Sequence, residues 1–186
     1  LLEEGKASST GFVVPGAEIK IINPTGDFDE EVPAGEIGEI VLKSASIALG
    51  YFSNKVVSEK QFSKGWWRSG DLGFISHGGL LYVKGRLDNR INTGGIKVHA
   101  EEVEACLLQH PDIVLAAVIG IPDKRWGQKI IAHLVASDPN LNAEAILEFC
   151  LMNECLPNTH LPKEYYFHDK LPVGPTGKLY RRGLLD

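Results

Sequence analysis

Between Gly11 and Arg86 the hydrophobic positions come in short alternating runs separated by turn residues; beyond Arg86 the period changes. Glu18-Ile19-Lys20-Ile21 alternates strictly, and Asn23-Pro24-Thr25-Gly26 then turns the chain, so a strand followed by a turn is expected. Pro33-Ala34-Gly35 introduces a second strand over Glu36–Lys43. Asp27, Asp29, Glu30 and Glu31 between them lack the alternating oxygen ligands and closing Glu of a calcium loop, and read as a solvated loop. A short helix is expected around Asn54–Phe62. Phe74-Ile75 and Leu80–Val83 flank Ser76-His77-Gly78-Gly79 as a hairpin. After Arg86, Ala100–His110 takes the helical period, with Val103, Cys106, Leu107 and His110 on one face. Strands are expected at Ile113–Ile121, Lys129–Ala136 and Tyr165–Phe167, with a second helix over Ala143–Leu156. The border between the two textures falls at Leu87–Asn89.

Composition narrows the classes. The 186 residues suffice for one domain or two small ones, and 44% hydrophobic with 23% charged is ordinary globular balance. The formal net charge is −5 and evenly spread, so no basic stripe awaits a nucleic-acid backbone. No apolar run reaches the ~18 residues of a membrane span, and no signal peptide is expected before the fold. Cys106, Cys150 and Cys155 fit reduced thiols of a cytoplasmic protein, and the scattered histidines give no metal spacing. The start at Leu1-Leu2-Glu3-Glu4, with Met152 the single methionine, suggests a boundary cut within a longer chain.

Three islands carry candidate chemistry. Ser69-Gly70-Asp71-Leu72-Gly73 follows Trp66-Trp67-Arg68; Gly85-Arg86-Leu87-Asp88 precedes Thr93-Gly94-Gly95; Gly177-Lys178 ends the run from Leu171, just before Arg181 and Arg182. A Gly-flanked Asp71 after a strand offers its carboxylate to two sugar hydroxyls, or else bonds its own turn. Arg86 has a permanent charge and a rigid donor fork for ribose and phosphate oxygens, or is a surface arginine at a strand end. Gly94-Gly95 lets backbone approach a ligand closely, or is a flexible turn. Lys178 alone reads as a solvated tail lysine. Trp67 is expected to pack the Asp71 loop; Trp126 has no evident role.

In this order and spacing, from about Gly11 to Arg182, the islands resemble the C-terminal portion of the adenylate-forming (AMP-binding, ANL) acid–thiol ligases. The resemblance implies an α+β chain. Residues 1–87 would be the β-rich, barrel-like last subdomain of the large domain, and residues 88–186 the small C-terminal lid domain. It implies Asp71 and Arg86 as ATP-binding residues, Asp88 as the hinge, Gly94 and Gly95 as the CoA-facing loop, and Lys178 as the catalytic lysine of adenylation. The implied activity is an AMP-forming acid–CoA ligase with a carboxylic acid, ATP and CoA as its small-molecule partners. The ligands of Mg2+, the phosphate loop and the acyl pocket are expected upstream of this chain, which would be inactive alone. Ser69 stands where Thr is commoner, Asn89 where an acid is frequent, Ile96 where Glu is frequent and Ala100 where Pro often starts the helix. An adenylation domain loading a carrier-protein thiol is the first alternative, disfavoured by the Gly94-Gly95 pair. A luciferase-like oxygenase and a non-enzymatic nucleotide-binding module are the others. The acid itself, fatty, aryl or succinylbenzoate-type, is not written in this text.

Overall fold

Alternation in the first half becomes an antiparallel sheet. In the computed structural model, which describes residues 9–185, β1 (Ala17–Ile22) pairs with β2 (Gly38–Ser44) from Ala17–Ser44 to Ile22–Glu39. A short helix, α1 (Lys55–Gln61), starts on Asn54, whose side chain accepts the Val57 N–H. It leads through β3 (Phe62–Ser63) into the long β4 (Trp66–Ile75), which pairs antiparallel with β2 and with β5 (Leu81–Arg86). Bulges at Glu39/Val41 and at Leu72/Gly73 bend this five-stranded sheet. Ile21, Ile40 and Leu81 form its small buried cluster, with Ile19, Val32, Leu42 and Ile75 packed against them.

One expectation is corrected here. The glycine-rich stretch at Asp71 is not a loop after a strand; β4 runs straight through it. The glycines mark a strand that bulges and turns locally, a use of Gly that resembles loop text when read one residue at a time.

A single 3-10 turn, Leu87–Asn89, holds the boundary between the two units, which falls between Asp88 and Asn89. The second unit begins with a hairpin, β6 (Arg90–Thr93) and β7 (Ile96–His99), which the hydrophobic pattern did not announce. It continues with α2 (Ala100–Leu107), the long hairpin β8 (Ile113–Asp123) and β9 (Gly127–Ala136), α3 (Ala143–Met152) and β10 (Glu164–Phe167). β8 lies antiparallel along β9; β10 pairs parallel with β9, and β6 meets it at Thr93–Gly127. The result is a mixed α+β unit whose core joins Val103 and Leu107 of α2, Ile130 and Leu134 of β9, and Ile146 and Cys150 of α3.

Both long helices stop short of their expected ends. α3 closes at Met152 because Asn153 donates its side-chain amide to Phe149 O, and Glu154 then adopts φ 48°. That reversal sends Cys155 back towards α2. Cys106 and Cys155 are joined as a disulfide, with Cys150 free and buried, so the expectation of three reduced thiols is not met. The two residues are 49 apart in sequence, with Cα atoms 5.7 Å apart, a proximity that spacing alone does not reveal. Among the described residues, no helix is long and apolar enough to cross a membrane.

Candidate functional site

In the first unit the antiparallel register sets Asp71 of β4 directly opposite Arg86 of β5. Arg86 Nη1 donates to Asp71 Oδ1 at 3.0 Å and to the Ser69 carbonyl at 2.9 Å. Its other amino group, Nη2, lies 3.7 Å from Asp88 Oδ2. Both members of the Asp71–Arg86 pair are about half open to solvent, and one carboxylate oxygen of Asp71 is not used by Arg86. Gly70 makes this possible. It has φ +71°, and a Cβ there would stand 3.0 Å from Arg86 Nη2.

Beneath this pair the strand is held from below. Ser69 Oγ donates to Ile40 O at 2.8 Å and accepts the Asp71 N–H at 3.0 Å. Glu39, only 2% exposed, accepts from Arg68 Nη1 at 2.7 Å and from the Gly70 N–H at 3.3 Å. Arg68 also donates to the Pro24 and Gly26 carbonyls and lies 4.8 Å over the Phe28 ring. The Glu39 carboxylate thus braces positions 68 and 70 of β4, on either side of Ser69, from the neighbouring strand. Sequence reasoning missed this pair. Its signal was an acid with apolar neighbours inside a strand, and a base immediately before Ser69-Gly70-Asp71.

In the second unit Gly94 and Gly95 form the two-residue turn of the β6–β7 hairpin, with φ +58° and +82°. Positive φ at both central residues is the signature of the turn whose twist suits a hairpin. The Gly94 N–H donates to Trp126 O at 2.7 Å, and a Cβ at Gly94 would meet the Trp126 ring at 2.9 Å. Trp126 therefore has a place: it backs the turn, with the Arg125 guanidinium 4.7 Å over its ring. Asp123 Oδ1 accepts the Arg125 and Trp126 N–H groups at 2.8 and 2.9 Å. Those bonds, Trp126's first, hold the Asp123 carboxyl below its ordinary range. Ile96 follows the turn exposed, and Ala100 is buried as the first residue of α2.

Lys178 lies on a separate turn. Gly177 N–H donates to Gly174 O at 2.9 Å and Gly174 N–H to Lys178 O at 2.8 Å, with Val173 bridged to Leu179. Pro175 presets the first turn residue and Gly177, at φ +75°, supplies the left-handed one. The lysine side chain is exposed. Three residues on, Arg181 closes a bidentate pair with Glu104 of α2 at 2.7 and 2.8 Å, and Glu104 also accepts the Val118 N–H at 2.8 Å. Burial pushes the Glu104 carboxyl up against the lowering pull of these partners. This anchor, like Glu39–Arg68, escaped the sequence reading, because its partners lie 77 residues apart.

Asp71, Arg86 and Asp88 are thus gathered at one end of the β4–β5 pair, while Gly94-Gly95 and Lys178 occupy two turns of the second unit. Residues 102–178 match the family model described as the AMP-binding enzyme C-terminal domain. A 2-succinylbenzoate–CoA ligase of Bacillus licheniformis is 39% identical over 83% of this chain and 32% of its own length. A long-chain-fatty-acid–CoA ligase of Escherichia coli is 32% identical over 97% of this chain and 31% of its own. The o-succinylbenzoate CoA synthetase of Bacillus subtilis, solved with its acyl-adenylate intermediate OSB-AMP, superposes with a TM-score of 0.89. It is 33% identical, covering 98% of this chain and 36% of that one. The same enzyme has been solved with ATP and a magnesium ion, at a TM-score of 0.87. The chain spans about a third of the length of the curated relatives it matches.

Proposed function

The chain belongs to the adenylate-forming AMP-binding enzymes, and on that premise we propose that it is the part of an acid–CoA ligase that grips the ribose of ATP, presents the adenylation lysine and faces CoA. The Asp71–Arg86 pair carries this reading. Arg86 occupies Asp71 Oδ1 and leaves Oδ2 to accept ribose hydroxyls, while the remaining guanidinium N–H groups are available to ribose or phosphate oxygens. Lys178, on an exposed turn tied down by Arg181, brings an ammonium to the carboxylate and α-phosphate as negative charge gathers between them. The carboxylate attacks the α-phosphorus, pyrophosphate leaves, and the mixed anhydride so formed has AMP as its leaving group. The thiolate of CoA then displaces AMP along the Gly94-Gly95 turn and its Trp126 backing. Asp88, next to the boundary between the units, is the position that turns between the two steps.

The phosphate-binding segment, the Mg2+ ligands and the acyl pocket belong in this reading to the remaining two thirds of the ligase. Leu49 and Phe52, 99% and 100% exposed, are the kind of apolar surface such neighbouring structure covers. ATP–pyrophosphate exchange in the longer protein, with fatty, aryl and dicarboxylic acids in turn, tests the proposal. Exchange that depends on one acid class and falls about 10²–10³-fold in Lys178→Ala is expected. Exchange indifferent to Lys178, or absent with every acid, overturns it. Thioester formation with free CoA rather than a pantetheinylated carrier separates the CoA reading from its carrier-loading alternative. The 186-residue chain alone is expected to show no turnover.

A further inference from the structure

The three cysteines of the second unit converge although they come from three places: Cys106 from α2, Cys150 from α3, and Cys155 from the reversal that follows α3. Their sulfurs all lie within 4.8 Å of one another. Cys106 is the common member, bonded to Cys155 and 3.8 Å from Cys150 Sγ. The three differ in access. Cys106 is 2% exposed and Cys150 0%, whereas Cys155 is only partly buried, beside the exposed Glu154. Any reagent that reaches the cluster from solvent therefore meets Cys155 first. Cys150 is kept as the neutral thiol, because burial pushes its thiol up.

We propose that this cluster is a thiol-modification site for low-molecular-weight disulfides, with Cys155 as the entry thiol, Cys106 as the resolving thiol and Cys150 as a bystander. The Cys155 thiolate attacks one sulfur of the small disulfide. A mixed disulfide forms on Cys155, and one small thiolate leaves. The Cys106 thiolate then attacks Cys155 Sγ, the second small thiolate leaves, and the Cys106–Cys155 bond of the structure is made. Two protein thiols are oxidised, one small disulfide is reduced to two thiols, and the protein protons pass to solvent and the departing thiolates. A three-thiolate metal site is the competing use of the same atoms. It would engage all three sulfurs, whereas the bond in the structure joins two and leaves Cys150 free, which is what the alkylation pattern below distinguishes. The product bond ties α2 to the end of α3 across 49 residues. A closure of that size restricts the unfolded chain and raises the melting temperature by on the order of 10 °C.

The test incubates the reduced chain with oxidised glutathione, quenches with acid, then alkylates under denaturing conditions and maps the peptides. The wild-type chain is expected to take one alkyl group, on Cys150, and to yield a linked Cys106–Cys155 peptide. Cys106→Ser is expected to stop at the mixed disulfide, with one glutathione on Cys155. Cys155→Ala, at the partly exposed position, is expected to oxidise at least tenfold more slowly, because neither remaining sulfur faces solvent. The wild-type measurement needs no variant to fold. Three alkylatable thiols in the wild-type chain after glutathione treatment, or a Cys155→Ala chain that oxidises as fast as wild type, overturns the proposal.

Discussion

Glu39 shows how a single buried charge can place another residue. Its carboxylate is nearly sealed from water and paired with an Arg68 whose side chain is 14% exposed, so removing either partner strands the other. Glu39→Ala should therefore cost about 3–5 kcal/mol in urea unfolding of the first unit. A loss below about 1 kcal/mol would mean the pair is hydrated and does not brace β4. The neighbouring Gly70 works by absence, since its missing Cβ is what admits the Arg86 guanidinium. The roles proposed for Asp71, Arg86 and Lys178 come from short glycine- or proline-flanked runs that stand out in the sequence, and the structure sets Asp71 opposite Arg86. Glu39, Glu104 and Arg181 do not stand out, because their meaning lies in partners 29 and 77 residues away.

At the level of elements, the two strand pairs missed by periodicity share a cause. β6 and β7 are four residues each, too short for alternation to stand out, and the Gly94-Gly95 between them reads as a place of ligand approach or a flexible turn, not as a hairpin turn. β3, with two residues, leaves no pattern at all. The longer elements declare themselves: the β8–β9 hairpin falls within two residues of where the hydrophobic period sets it, and α2 starts at its expected residue but ends three residues early. The parallel β9–β10 pairing brings a pH dependence with it. His133, opposite Tyr166 and stacked 5.3 Å from its ring, lies 2.9 Å through Nδ1 from His168 Nε2. Burial, and secondarily His168, holds the His133 pKa below its ordinary value of 6.5. The unfolded chain takes up a proton there that the folded chain resists. Stability from this residue is complete above that ordinary value and is lost as the pH falls below it. The melting temperature should drop between pH 7.5 and 5.5, and drop less in His133→Gln; equal slopes would remove His133 from the account.

Across the molecule, among the described residues, the buried apolar cluster of the second unit has fifteen residues and that of the first has three. Local stability follows the depth of such clusters. Hydrogen exchange should find the amides of β9 protected at least tenfold beyond those of β1, and a uniform profile would indicate that the chain unfolds as one body. The exposed Leu49 and Phe52 belong to the more thinly cored half.

The Lys178 turn has an implication for protein engineering. The lysine, the turn that lifts it and the arginine that fastens it fit within eleven consecutive residues, Leu171 to Arg181, and the fastening needs one carboxylate from a helix, Glu104. The proposed adenylation lysine could therefore be transplanted as a cassette into a scaffold that offers a buried glutamate at the matching spot. The graft would tolerate substitutions at its tip far better than a change in the number of residues between Lys178 and Arg181.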